Sequence, residues 1–185
     1  MDERAHANRH SGRGAGFRSA QGLAAAVALA ACAPALDWRE VRMDEAGLLG
    51  LFPCRPVAQT RELALAGRPV AMTLRACESG GGTFAVAVAD AKDPVQVGLV
   101  MDALRSASTA KQVEGAAPGK AMELAVSGAT PRPEAGRWVF QGRRADGAAL
   151  QVDTAVFARG TWVVQATVIG PVDASAFFEG LRFGP

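Results

Sequence analysis

The sequence contains no tyrosine, and its two histidines, His6 and His10, both lie near the amino terminus. Histidine is the usual general base near neutral pH and the commonest metal ligand. A Ser-His-Asp or Cys-His catalytic site and a histidine-based zinc site are therefore excluded after residue 10. We predict a non-enzymatic protein with no catalytic residues, no metal site and no cofactor. The enzymatic alternative would have to use carboxylates or lysine alone.

Long hydrophobic runs are also absent. The apolar run from Leu23 to Ala31 is too short to span a bilayer, which takes about 20 apolar residues. This run follows a segment that carries four arginines, and it ends in small residues. The order of basic, apolar and small residues is that of a secretory signal. We therefore predict that residues 1–31 are a signal peptide.

The run ends in Leu29-Ala30-Ala31-Cys32, which resembles the lipobox of bacterial lipoproteins. This resemblance implies cleavage after Ala31, a diacylglyceryl thioether on Cys32 Sγ and an acyl group on the new amine. Because Ala33 rather than aspartate follows, the resemblance implies attachment to the outer membrane, facing the periplasm. The alternative is ordinary cleavage at the small residues around Cys32, which would release a soluble periplasmic protein.

The remainder of the chain carries no excess of charge. Once residues 1–31 are removed, 16 basic and 16 acidic residues remain. This equal number of basic and acidic residues does not favour binding to nucleic acid, which requires an excess of positive charge. We expect residues 32–37 to be the lipidated cysteine and a short tether, and residues 38–185 to form a single domain, which is long enough to bury a core.

Cysteine is scarce as well, with only Cys54 and Cys77 left besides Cys32. Two cysteines in an exported domain most often pair, so we predict a disulfide between them. The alternative is a reactive thiol, for which Arg55 is the one adjacent group able to lower the pKa of Cys54.

Alternating apolar residues predict a series of strands. Strands are expected at 38–43, 48–52, 84–88 and 122–126, in a hairpin that turns at Ala66-Gly67-Arg68, and in a meander over the last third. A helix is predicted to begin at Asp93-Pro94, with residues 106–119 irregular, and Asp173 is expected to cap a short final helix. The fold class predicted is α+β, a mainly antiparallel β-sheet with one central helix and a short C-terminal helix packed on it.

Two segments carry a resemblance to a family of folds. They are Leu48-Leu49-Gly50-Leu51-Phe52-Pro53-Cys54-Arg55-Pro56 and the closing Phe177-Phe178-Glu179-Gly180-Leu181-Arg182-Phe183. Together with the order of elements, they resemble bacterial domains of the PsbP/Mog1-like type. This resemblance implies an α/β/α sandwich over nearly all of residues 38–183. It carries over no catalytic residues, because the family's functions are diverse.

Several polar and aromatic residues are candidates for a site. Three pairs of carboxylates stand close in sequence, and we interpret each as belonging to a turn or a helix start: Asp44/Glu45, Asp90/Asp93 and Asp146/Asp153. Arg143-Arg144 has the chemistry to grip a phosphate, but a charged hairpin turn is the simpler interpretation. Trp38, Trp138 and Trp162 stand on alternating strands, where tryptophan belongs to the core more often than to a pocket.

The function expected from these observations is that of an envelope lipoprotein. We predict a non-enzymatic interaction or assembly module, held to the membrane through Cys32, with an envelope protein as its possible partner and no nucleic acid. The alternative is a small-molecule or lipid-binding periplasmic module, with a pocket between sheet and helix lined by Trp138 or Trp162.

Overall fold

The computed structural model describes residues 36–112, 119–143 and 146–184, with side chains described only to residue 107 within the first of these ranges. The elements follow the chain in this order: β1 (Arg39–Met43), β2 (Leu48–Phe52), β3 (Val57–Leu65), β4 (Arg68–Ser79), β5 (Gly82–Asp90), α1 (Val97–Gln112), β6 (Lys120–Met122), β7 (Gly136–Arg143), β8 (Ala149–Arg159), β9 (Trp162–Ile169), α2 (Ser175–Glu179) and β10 (Arg182–Phe183).

The strands form two sheets. The larger has the order β3-β4-β5-β9-β8-β7-β6, and the smaller has the order β1-β2-β10. Every pair of neighbouring strands is antiparallel. The predicted mainly antiparallel α+β class is therefore confirmed. The second sheet is an addition that the sequence pattern did not indicate, because β10 has only two residues.

The central strands of the larger sheet are covered on both faces. On one face, α1 packs through Val97, Val100, Met101 and Leu104, all at most 3% exposed. On the other, the smaller sheet and α2 pack against alternate residues of β5, β8 and β9. Most of β8 is buried in consequence, which is unusual for an antiparallel strand.

The aromatic residues of the second interface meet edge to face. Phe177 on α2 contacts Phe52 at 5.3 Å and Phe84 at 5.5 Å between ring centroids. Phe183 on β10 similarly contacts Phe157 at 5.9 Å. Such pairs add about 0.5–1.5 kcal/mol each beyond their burial. The carboxyl-terminal segment is therefore held to the larger sheet by packed rings.

The central helix begins later than predicted. The Asp93 carboxylate accepts the N–H of Val95 at 2.9 Å, and the Asp93 carbonyl accepts the N–H of Gln96 at 2.9 Å, so Asp93 forms a turn before the helix. The Gln96 carbonyl accepts the N–H of Val100, which makes it the first helical acceptor. The helix then runs through Gln112, and the prediction that residues 106–112 are irregular was wrong, because alanine, lysine and glutamine in this stretch favour helix.

Two further boundaries differ from the sequence prediction. The strand expected at 122–126 is β6, Lys120–Met122, and residues 123–126 are not in a strand. The N-cap position of α2 is Ala174 rather than Asp173. Asp173 still accepts the N–H of Ser175 at 2.9 Å, so its carboxylate serves the first turn from one residue further away.

The disulfide between Cys54 and Cys77 is present, with 6.0 Å between the two Cα atoms. Its geometry follows from the β3–β4 hairpin. A two-residue turn at Ala66-Gly67, with φ of 50° and 76°, sets the register from Leu65 opposite Arg68 to Val57 opposite Ala76. Cys77 therefore lies one position beyond the last pair, beside the segment that carries Cys54.

Replacing both cysteines, Cys54→Ala with Cys77→Ala, should lower the free energy of unfolding by about 3 kcal/mol, because the closed loop restricts the unfolded chain. Urea denaturation followed by circular dichroism measures this loss. Wild-type protein treated with a thiol reductant is the control and should lose a similar amount. Unchanged stability in both would contradict a structural role for the bridge.

Candidate functional site

The longest exposed strand of the larger sheet is its edge strand, β3. Eight of its nine residues are exposed, and only Leu65 is buried. The strand pairs with β4 on one side, and within the described residues no strand pairs with its other side. We call residues 57–65 the β3 edge.

The turn at Ala66-Gly67 decides which backbone groups of the β3 edge point outward. In a two-residue hairpin the closing pair, here Leu65 and Arg68, is a hydrogen-bonded pair, and such pairs alternate along an antiparallel ladder. The odd-numbered residues of β3 therefore bond to β4. The N–H and C=O groups of the even-numbered residues face outward: Ala58, Thr60, Glu62 and Ala64.

Side chains of the odd-numbered residues lie on the face that α1 covers, because Leu65 belongs to the core beneath that helix. Val57 is 68% exposed and Leu63 is 36% exposed on this face. Leu74 of β4, at 38%, lies opposite Gln59 on the same face. Apolar side chains therefore border the edge, close to its outward backbone groups.

Leu99 is the exposed apolar residue of the first turns of α1. It is 53% exposed, although Val97, Val100 and Met101 around it are buried. At 3.6 residues per turn, Leu99 lies about 150° around the helix from the centre of the buried stripe formed by Val97, Val100, Met101 and Leu104. Leu99 therefore faces solvent on the outer side of α1.

The opposite edge of the larger sheet differs. There β6 has three residues, all exposed, and it covers only part of β7. Very short edge strands are one way in which proteins prevent unwanted pairing. The β3 edge lacks several of the usual protections: it is nine residues long, its pairs with β4 run without a bulge, and it contains no proline. Its charged side chains are Arg61 and Glu62.

A buried ion pair lies on the other face of the sheet. Asp153 of β8 accepts hydrogen bonds from Arg137 Nε at 2.9 Å and from Arg137 Nη2 at 2.7 Å. The side chain of Asp153 is 6% exposed and that of Arg137 is 13% exposed. The guanidinium carbon of Arg137 lies 3.9 Å from the ring centroid of Phe178. The interpretation of Asp153 as part of a turn was therefore wrong, and Asp153 does not act with Asp146.

The other carboxylates have local partners. Glu45 makes a two-point contact with Arg75, Asp44 pairs with exposed Arg42, and Asp146 accepts the N–H of Ala148 in its turn. Among the described residues, no three histidine, cysteine, aspartate or glutamate side chains converge as metal ligands. These carboxylates thus act in turns or in more exposed ion pairs, whereas Asp153 forms a buried ion pair.

Two carboxylates have a lowered pKa. Burial disfavours the ionised form of Asp90, but hydrogen bonds from the Lys92 side chain and backbone and from the Thr161 hydroxyl outweigh it and lower its pKa. The N–H and hydroxyl of Ser175 lower the pKa of Asp173. Both groups hold turns that precede helices, which is a structural role.

The remaining candidates also have structural surroundings. Arg143 donates to the Gly147 carbonyl at 2.8 Å within the β7–β8 turn, and Arg144 lies outside the described residues. Trp38 and Trp162 pack against the core on the side of the smaller sheet, and Trp138 packs against the core beneath α1. The tryptophans therefore belong to core edges, as interpreted from sequence.

The lipidation site predicted at Cys32 lies outside the described residues. Among the residues that the structure describes, no helix has the length and apolar character needed to cross a bilayer. Comparison with known protein families, curated proteins and solved structures found no match to this chain.

Sequence patterns missed two features. The sequence pattern predicted the first strand of the hairpin only near Leu63, whereas β3 begins at Val57. The β-branched residues Val57 and Thr60, which follow Pro56, were the signal that the strand begins earlier. The Arg137–Asp153 pair had no local signal, because the two residues stand 16 apart and meet only across two strands.

Replacing Asp153 with alanine should destabilise the protein by about 3–5 kcal/mol, because Arg137 would be left buried and unpaired. Urea denaturation measures the change. The control is Asp44→Ala, which removes an exposed ion pair and should cost less than about 1 kcal/mol. Equal losses for the two variants would contradict the importance assigned to burial of the Arg137–Asp153 pair.

The stability that Asp90 contributes should depend on pH. Because its folded pKa is below the unfolded value of 3.8, this contribution is present above about pH 4 and is lost as the pH falls through the folded pKa. Denaturation of wild-type protein and Asp90→Asn between pH 2 and about 7 measures it. The difference in stability should be largest at neutral pH and shrink in acid; a constant difference would contradict this assignment.

Proposed function

We propose that this protein is a lipid-anchored interaction module of the bacterial envelope. In this proposal residues 1–31 are a signal peptide, Cys32 carries the lipid, and the folded domain faces the periplasm from the outer membrane. The segment Leu29-Ala30-Ala31-Cys32 supports the anchor. A disulfide between Cys54 and Cys77 supports an oxidising compartment, since such bridges persist mainly in exported proteins.

The start of the folded domain supports an orientation on the membrane. The Asp37 N–H donates to the Pro53 carbonyl at 2.8 Å, and Leu36 lies against Gly80 in the β4–β5 turn. Four peptide links join Cys32 to Leu36, and an extended chain of that length spans at most about 14 Å. In the proposed anchored state, the β4–β5 turn would lie close to the lipid surface, and β3 would lead away from it.

The observation that carries the interaction role is the exposure of the β3 edge. An uninterrupted edge strand of nine residues beside exposed Val57, Leu63 and Leu74 is a surface suited to another protein. The ligand-binding alternative receives no such support from Trp138 and Trp162, which pack against the cores.

We also propose that the domain is a variant of the PsbP/Mog1-like sandwich. The placement of α1 on one face of an antiparallel sheet and α2 on the other supports this. The smaller sheet, which shares a layer with α2, is where this domain departs from a simple sandwich of helices around a sheet.

Mass spectrometry of the full chain isolated from bacterial membranes tests the anchor. We expect a mature protein that begins at Cys32, with a diacylglyceryl group on its sulfur and an acyl group on its amine. The Cys32→Ser variant should lack this modification and should no longer be found in the membrane fraction. The variant with Cys54→Ala and Cys77→Ala is the control and should keep the lipid. An unmodified Cys32 with residues upstream still attached would overturn the proposal.

Chemical crosslinking of the lipidated protein in intact membranes, followed by purification, tests the interaction role. A protein partner recovered in constant proportion is the expected result. Recovery of a bound lipid or small molecule with no protein partner would overturn the interaction role in favour of the ligand-binding alternative.

A further inference from the structure

We propose that the β3 edge binds an extended segment of a neighbouring envelope protein as an eighth, antiparallel strand of the larger sheet. This inference rests on the proposed function, since it names the partner class of the same surface. Strand addition to an open sheet edge is an established mode of peptide recognition, in which main-chain hydrogen bonds supply affinity and alternate side chains supply specificity.

The backbone of the β3 edge is prepared for such a strand. The outward N–H and C=O groups of Ala58, Thr60, Glu62 and Ala64 recur every second residue, as an antiparallel partner requires. The strand is held in an extended conformation by pairing with β4 along its whole length. A partner can therefore dock without rearrangement of the sheet.

The side chains beside this backbone specify the partner's chemistry. On the face of α1, Val57 and Leu63 call for apolar partner residues opposite them, and Arg61 between them calls for an acidic one. On the other face, Glu62 forms no ion pair within the described part of the chain and calls for a basic residue. The segment that fits has an apolar residue at each end, and a basic and then an acidic residue directly after the first of them.

A second copy of this chain fits the edge less well. A two-fold axis through Arg61 or Glu62 sets like charges directly opposite each other, which is unfavourable on a sheet. An axis through Thr60 does not place like charges opposite each other. The two antiparallel copies of β3 would, however, still run in opposite directions. Because β3 spans about 30 Å at 3.4 Å per residue, two copies anchored in one membrane would have their tethers at opposite ends of the shared sheet.

A synthetic peptide of the sequence Ile-Lys-Glu-Thr-Thr-Ser-Val, labelled with a fluorophore, tests the inference. Its residues are ordered to lie opposite Leu63 down to Val57, so its glutamate meets Arg61 and its lysine meets Glu62. Fluorescence anisotropy with the full lipidated protein in phosphatidylethanolamine and phosphatidylglycerol vesicles should give a saturable Kd below about 1 mM.

Backbone methylation separates strand pairing from general adhesion. N-methylation of the peptide's lysine and first threonine blocks the N–H groups directed at β3 and should weaken binding at least about ten-fold. N-methylation of its glutamate and second threonine blocks groups that face away and should leave binding within about two-fold. Equal affinity for the two methylated peptides overturns the inference.

Variants at Thr60 give the matched test on the protein. Thr60→Pro removes an outward N–H and should weaken binding at least about ten-fold, because proline cannot donate to the new strand. Thr60→Val is the control, because it loses the same hydroxyl contact with Thr73 but keeps the N–H. Equal urea midpoints for the two variants show that folding is intact; equal affinities overturn the inference.

A charge exchange tests the side-chain pairing. Arg61→Glu should weaken binding of the peptide by about three-fold, and a peptide with lysine in place of its glutamate should restore it. The absence of restoration overturns the assigned register.

Failure of the inference differs from failure of the proposed function. If Cys32 carries its lipid and the unmodified peptide does not bind at about 1 mM, the strand-addition inference is overturned and the anchor stands. If Cys32 is unmodified, the proposed lipid anchor is overturned. The proposal that the bound strand comes from an envelope protein is then overturned as well.

Discussion

The structure depends on covering both faces of the central strands. β5, β8 and β9 bury alternate residues against α1 on one face and against the smaller sheet with α2 on the other. An antiparallel sheet commonly leaves one face in water, so this double coverage explains why most positions of β8 are buried, including those of Asp153 and Thr154. It also explains why a two-residue strand, β10, and a five-residue helix matter: they complete the second layer.

The Arg137–Asp153 pair is a consequence of the same coverage. A charged pair on β7 and β8 would be exposed if α2 were absent, but Phe178 of α2 lies over the guanidinium. Burial removes water from both ions, and two hydrogen bonds together with the aromatic ring replace part of that hydration. The pair therefore joins the carboxyl-terminal helix to the sheet through a specific geometry rather than through apolar area alone.

The hairpin of β3 and β4 lies where this coverage ends. Leu65 and Val70 are buried near its turn, whereas Val57 and Leu74, further from the turn on the same face, are exposed. Among the residues that the structure describes, β3 pairs with β4 on one side and with no strand on the other, so it keeps its shape without burying its surface. In the proposed anchored state, such a strand would lead away from the membrane with its free edge open to a neighbouring protein.

Much of the local structure was predictable from sequence. Alternating residues predicted β1, β2, the hairpin and the meander, and compartment-based reasoning predicted the bond between Cys54 and Cys77 that the structure contains. The predicted start of α1 at Asp93-Pro94 was wrong, because an aspartate followed by proline is equally suited to a turn. The candidate surface was only partly predictable, since exposure of β3 depends on what lies next to it.

The sequence by itself determined the strand periodicity, the turn at Ala66-Gly67 and the absence of histidine chemistry after residue 10, because each is a property of neighbouring residues. The tertiary structure alone decided that β3 is an edge, that β10 joins β2 in a second sheet, and that Asp153 is buried with Arg137. These outcomes depend on which strands pair across long stretches of chain. Strand order is set by the burial of whole faces, which a local pattern of residues does not encode.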